Sequence, residues 1–172
     1  YGGLDEIRVR AASPAYNGYF KFDVSGLGGE SVLSATLRLY VDDGSNDGGT
    51  LYRVLNEWSE QGITWNNAPT GLAIGNLGAV SSGTWIEYDV SAQVQSEGIY
   101  SFALSSSSTN SAYYSSREGA NPPELVLEMG APLSPIAEFT ADSTSGSTPH
   151  TVQFQDLSSN GPDSWLWNFG DG

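Results

Sequence analysis

The sequence predicts an all-β protein built as an antiparallel β-sandwich, and three observations predict it. Apolar and polar residues alternate with period two along most of the chain. Clusters of Gly, Ser, Asn and Asp bound the alternating runs, and the 21 glycines supply turns between them. Only "SAQVQSEG" at 91–98 reads as a helical turn, with Ser91 as N-cap and Gly98 at its stop. Many short strands with so little helix point to a sandwich.

Each element follows from its own pattern. "IRVR" at 7–10 is the first run. "YFKFDV" sets Phe20, Phe22 and Val24 against Tyr19, Lys21 and Asp23, and "ATLRLYV" sets Leu37, Leu39 and Val41 against Arg38 and Tyr40. "TLYRVL" at 50–55, "GTWIEYDV" at 83–90, "IYSFALS" at 99–105 and "PELVLEM" at 123–129 repeat the alternation. Near residue 131 the composition changes. "GAPLSPI" carries two prolines, and residues 132–172 hold five carboxylates with no Lys or Arg, whereas residues 1–131 hold all six basic residues. The expected organisation is a sandwich over 1–130, a Pro-rich linker over 131–135 and a second region over 136–172. That second region reads as three strands, "IAEFTAD", "TVQFQD" and "SWLWNF". Three strands are too few to bury a core of their own.

Composition excludes several functions. A formal net charge of -14 disfavours nucleic acid and anionic membrane surfaces, which are bound mainly through Lys and Arg. With no cysteine there is neither a disulfide framework nor a thiolate metal site. No apolar run approaches the length of a membrane span. Catalysis is poorly provided for. The single histidine, His150, lies in a turn-like "STPH" with nothing beside it to suggest a triad, and "GLGGES" lacks the lysine of a phosphate loop. The chain is therefore not expected to be an enzyme.

Three groups of residues are candidates for a site. The loop "DDGSNDGG" at 42–49 offers Asp42, Asp43, Asn46 and Asp47 as oxygen ligands suited to Ca²⁺, set against a plain hairpin loop chosen for turn geometry. Aromatic faces stack on sugar rings while polar neighbours meet the hydroxyls. Trp58, Trp65, Trp85, Tyr113 and Tyr114 are such aromatics, and Tyr113, Tyr114 and Arg117 flank the Ser-rich "SSSSTNS". One of the two adjacent tyrosines must point inward, because neighbours on a strand face opposite sides. Arg8, Arg10, Lys21, Arg38 and Arg53 all fall on strands, on the polar phase. They make either a cationic stripe for an anionic sugar or a cross-strand ladder with Asp23, Glu87 and Asp89, and the ladder is the preferred expectation.

Two resemblances bear on function. "GYFKFDVSGL", "SVLSATLRLYV", "LYRVLNEWSEQGITWNNAP", "GTWIEYDVSAQV", "YSFALS" and "YYSSREGANPPELVLE", in that order, resemble the DNRLRE family, also filed as carbohydrate-binding module family 96. The resemblance implies a jelly-roll-like sandwich of secreted or cell-surface proteins and assigns Trp58 and Trp65 to the scaffold. It also implies a polysaccharide ligand, alginate being associated with the family, and a first strand ahead of "YGG". From Pro135 onward, "PIAEFTAD" and "VQFQDLSSNGPDSWLWNFGDG" resemble the first half of a PKD domain, an immunoglobulin-like sandwich of extracellular bacterial and archaeal proteins. Its hallmark turn is matched by Trp167, Phe169, Gly170, Asp171 and Gly172. Both ends are thus expected to be trimmed relative to the families.

Two functional classes follow. One is an extracellular or cell-surface module that binds polysaccharide through Lys21, Arg38, Arg53, Tyr113, Tyr114 and Arg117. The other is a building block of a surface layer, sheath, filament or adhesin, which accepts a strand from neighbouring surface-protein subunits at an open sheet edge.

Overall fold

The computed structural model describes residues 3–131 and 134–168. It comprises two compact units, Tyr1–Leu27 with Val32–Gly130, and Gly28–Ser31 with Ala131–Gly172. The protein is all-β, with strands β1 (Glu6–Val9), β2 (Gly18–Val24), β3 (Val32–Asp43), β4 (Thr50–Val54), β5 (Gly71–Asn76), β6 (Thr84–Asp89), β7 (Gly98–Ser105), β8 (Ala112–Ser115) and β9 (Glu124–Met129) in the first unit. Where a helical turn is expected at 91–98 there is a single turn, in which Gln93 and Val94 donate back to the Val90 carbonyl.

These strands form two antiparallel sheets, β1-β8-β3-β6 and β2-β7-β4-β5, with β9 beside the first half of β3. Eight strands shared between two sheets in this order make a jelly roll. The apolar phase predicted for β2 and β3 faces inward. Leu37, Leu39 and Val41 of β3 share one core with Phe20 of β2, Leu51 of β4 and Phe102 and Leu104 of β7. That core stabilises the unit at about 25 cal/mol for each Å² of apolar surface removed from water.

Two carbonyls reach into this core and need donors. Gly48 packs so closely that an added Cβ would lie 2.4 Å from Val80 and 2.8 Å from the Tyr114 hydroxyl, and Gly49 has φ +111°. The buried hydroxyls of Tyr114 and Tyr88 donate to Gly48 O (2.5 Å) and Gly49 O (2.9 Å). Burial, then the nearby Tyr88 and Asp47, push the Tyr114 phenol well above its ordinary range, so it stays a donor.

Among its described residues the second unit contains one hairpin, β10 (Phe139–Ala141) against β11 (Phe154–Asp156). Phe139, Phe154 and Trp167 pack ring to ring at 5.5–6.0 Å. "SWLWNF" does not form the expected third strand over its described residues. Instead Trp165 Nε1 donates to Asp156 Oδ2 at 2.9 Å. Phe169, Gly170, Asp171 and Gly172 of the hallmark turn lie outside the described residues.

Candidate functional site

The two outer faces of the sandwich differ. On the β2-β7-β4-β5 sheet, Val54, Ser101 and Ala103 point outward by register yet are 3%, 0% and 6% exposed. The long β4–β5 loop accounts for this. Trp58 packs edge-on against Tyr19 at 5.8 Å, and Lys21 Nζ lies 4.5 Å above the Trp58 ring while donating to the Asn56 and Trp58 carbonyls. Lys21 is thus a clip between strand and loop. Within the loop, Asn67 accepts from Thr64 N and Thr64 Oγ1 and donates to Gly62 O, leaving Trp65 68% exposed.

The β1-β8-β3-β6 face carries two clusters of arginine and aromatic residues. In the first, Arg38 lies over Trp85 at 4.6 Å and Trp85 meets Tyr40 edge-on at 5.4 Å. The same guanidinium donates to Glu87 (3.0 Å) and Glu124 (2.5 Å), tying β3 to both neighbours. This is the expected ladder at Glu87, extended by Glu124, which sequence reasoning did not single out. Asp89 is occupied instead with Ser91, whose hydroxyl and amide donate to it and lower its pKa.

The second cluster lies at the β1–β8 end. Arg8 pairs by register with Tyr113 and sits 4.6 Å from the Tyr16 ring and 5.3 Å from that of Tyr113. Its Nε donates to Ser111 Oγ at 2.9 Å. Arg10 bridges Tyr16 through the backbone and lies 5.6 Å from the same ring. Arg10 Nε is buried without an acceptor. Among the described residues, no carboxylate forms an ion pair with Arg8 or Arg10.

Several expected site residues lie elsewhere. Tyr114 is fully buried, so no ligand can stack on it; of the adjacent pair, Tyr113 faces outward. Arg53 falls on the inward phase with Leu51, opposite Phe102. It donates to the Val54, Ser101 and Ile99 carbonyls beside the Tyr100 and Phe102 rings, which makes it a structural clip rather than a surface charge. Lys21 and Arg53 lie in one sheet and Arg8 and Arg38 in the other, so the five cations form no single stripe. Arg117 pairs with Glu60 (2.9 Å) and Glu118 (2.5 Å), joining two loops.

In the loop expected to offer calcium ligands, Asp47 is engaged by protein donors. Asp47 accepts from Gly49 N, Asn76 Nδ2, Ser106 Oγ, and the amide and hydroxyl of Ser107, all at 2.7–3.1 Å. Burial alone would raise this carboxyl, but those donors outweigh it and hold it well below the usual range. Asp42 shifts the other way, because burial outweighs its hydrogen bond with Ser115. Among the described residues no three His, Cys, Asp or Glu side chains gather as a metal site. Asp47 knots loops together through hydrogen bonds.

Sequence reasoning missed Tyr16 and Tyr40. Tyr40 had the right phase, but nothing in the sequence placed β6 beside it; Tyr16 lies in "SPAYNG", which has no periodicity. No curated protein matches the chain. The family description "Carbohydrate-binding module family 96" matches residues 1–129, three quarters of its length. This jelly roll with arginine and aromatic side chains on one open face belongs to carbohydrate-binding module family 96.

Proposed function

We propose that the module binds polysaccharide, without catalysis, on the outer face of the β1-β8-β3-β6 sheet. The contrast between the two outer faces carries this reading: one is covered by its own loop, and the other presents Trp85, Tyr40, Tyr113 and Tyr16 interleaved with Arg38, Arg8 and Arg10. Aromatic rings supply flat apolar area, and guanidinium groups supply donors for hydroxyl and carboxylate oxygens. Affinity electrophoresis of the 172-residue chain in gels cast with neutral and acidic polysaccharides tests the reading. Retardation by at least one glycan, lost in Trp85→Ala and Tyr113→Ala but kept in Trp65→Ala, is expected. Retardation lost only in Trp65→Ala would move the site to the β4–β5 loop.

A second reading has its own observation. β9 pairs with β3 on one side, and among the described residues no strand pairs with its other edge. Beside that edge a cavity of about 220 Å³ is lined by Phe22, Val24, Leu27 and the inward Leu125 and Leu127, with Asp23 and Ser25 among them. An unpaired edge above a partly apolar floor suits an added strand, as a building block of a surface assembly would use it. Light scattering across a wide concentration range tests this reading. Self-association abolished by Leu127→Asp is expected, and a monomer throughout contradicts it.

The setting that suits both readings is the outside of a bacterial or archaeal cell, with residues 136–172 belonging to a PKD-like domain. The "WNFGDG" ending supports that assignment. Protease shaving of intact source cells should release peptides of this chain; their absence, with the chain present in lysate, contradicts the setting.

A further inference from the structure

The two clusters on the open face differ in one respect that bears on the kind of saccharide they can hold. In the first, the Arg38 charge is already answered twice, by Glu87 and Glu124. An acidic sugar laid on Trp85 and Tyr40 would approach two carboxylates with no cation left to meet it. At ordinary salt, screening acts only over about 8 Å, so contact with those carboxylates would be felt in full. A neutral pyranose has no such conflict there, since it needs a ring face together with acceptors and donors for its hydroxyls.

In the second cluster the balance is reversed. Arg8 makes one side-chain hydrogen bond to protein, through Nε to Ser111, and is stacked between Tyr16 and Tyr113. Arg10 directs Nη2 to the Pro14 carbonyl, and its Nε is buried out of a ligand's reach, so it offers its charge rather than that donor. Asp43 faces Tyr113 across the β3–β8 pair, yet neither arginine has a carboxylate within 4 Å among the described residues. In a chain of net charge -14, this is where a carboxylate or sulfate on a sugar can be met by unanswered guanidinium groups.

We infer that the face is divided into a neutral subsite at Arg38–Tyr40–Trp85 and an anionic subsite at Arg8–Arg10–Tyr16–Tyr113, and that its ligand is a mixed polysaccharide in which acidic residues lie among neutral ones. The strand order sets the scale. Trp85 on β6 and Arg8 on β1 are three strand spacings apart, roughly 15 Å, so a ligand filling both subsites crosses the strands with about three sugar rings. This inference rests on the carbohydrate-binding reading and goes further by excluding uniformly acidic and uniformly neutral chains as preferred ligands.

Isothermal titration of the 172-residue chain with three hexasaccharides tests it: alternating glucuronate and N-acetylglucosamine, all-guluronate, and cellohexaose. The alternating hexamer should bind roughly tenfold tighter than either uniform one, the difference one charge-assisted contact makes. Arg8→Gln and Arg10→Gln should each bring the alternating hexamer down to the level of cellohexaose, whereas Trp85→Ala should weaken both of these ligands. In the unaltered protein, raising salt should weaken the alternating hexamer and leave cellohexaose unchanged, a readout that no folding defect can imitate. Equal or tighter binding of the guluronate hexamer, or a salt-independent affinity for the alternating one, overturns the inference. Binding of cellohexaose alone also overturns it while leaving the carbohydrate-binding reading intact, and binding of none contradicts both.

Discussion

Asp47 shows how one residue of an exposed-looking loop can govern a fold. Its carboxylate gathers donors from residues 49, 76, 106 and 107, and the same loop carries the Gly48 and Gly49 carbonyls to their tyrosine donors in the core. Asp47→Asn should therefore destabilise the first unit by about 2 kcal/mol, the range for hydrogen bonds to a charged group, measured as a shift of the urea midpoint at pH 7. The pH dependence follows from the lowered pKa. The folded state binds the proton more weakly than the unfolded one. This carboxylate thus contributes fully above the ordinary Asp value near 4, and its contribution is lost as pH falls from there through the folded pKa. In Asp47→Asn the loss of stability below about pH 4 should be shallower; an unchanged slope would contradict the assignment. At this scale the sequence leaves two readings open, because Asp, Asn and Gly in a tight loop suit a cation and a hydrogen-bonded knot equally well. The partners at Asn76, Ser106 and Ser107 are distant in sequence, and no local spacing announces them. Arg53 was misread for a related reason: alternation gives two phases, but a long side chain can lie on the inner one and still reach carbonyls at the edge.

The β4–β5 loop is the element that decides which face is open. Lys21 holds it through two carbonyls and the Trp58 ring, and Arg117 holds it again at Glu60. Lys21→Met keeps the apolar stem and removes the charge, so the loss should be about 1 kcal/mol or less. Its signature should be local: amide hydrogen exchange over residues 56–68 should quicken while β3 and β7 keep their protection. Uniform quickening of both would contradict the clip. Most strands were legible because period-two alternation reports a half-buried strand directly. β5 was not anticipated, since "GLAIGN" pairs by a shifted register and buries little. "SWLWNF" alternates as a strand should, yet its described residues form no strand, and Trp167 joins the rings of Phe139 and Phe154.

At the scale of the molecule, the jelly roll brings together residues that lie far apart in the chain. Arg8 meets Tyr113 because β1 lies beside β8, and Arg38 meets Trp85 because β3 lies beside β6. Individual residues of the face could be named from the sequence as aromatic or cationic, but their grouping depends on strand order, which alternation does not encode. For the same reason a single five-cation stripe was conceivable until the sheets were assigned. The central claim is that polysaccharide lies on the β1-β8-β3-β6 face. Hydroxyl-radical footprinting of the 172-residue chain, with and without a polysaccharide that retards it, measures this directly by the oxidation of each aromatic side chain. The account predicts protection of Tyr16, Tyr40, Trp85 and Tyr113 on binding, with Trp65 unchanged. Protection of Trp65, with those four oxidised as before, would contradict it.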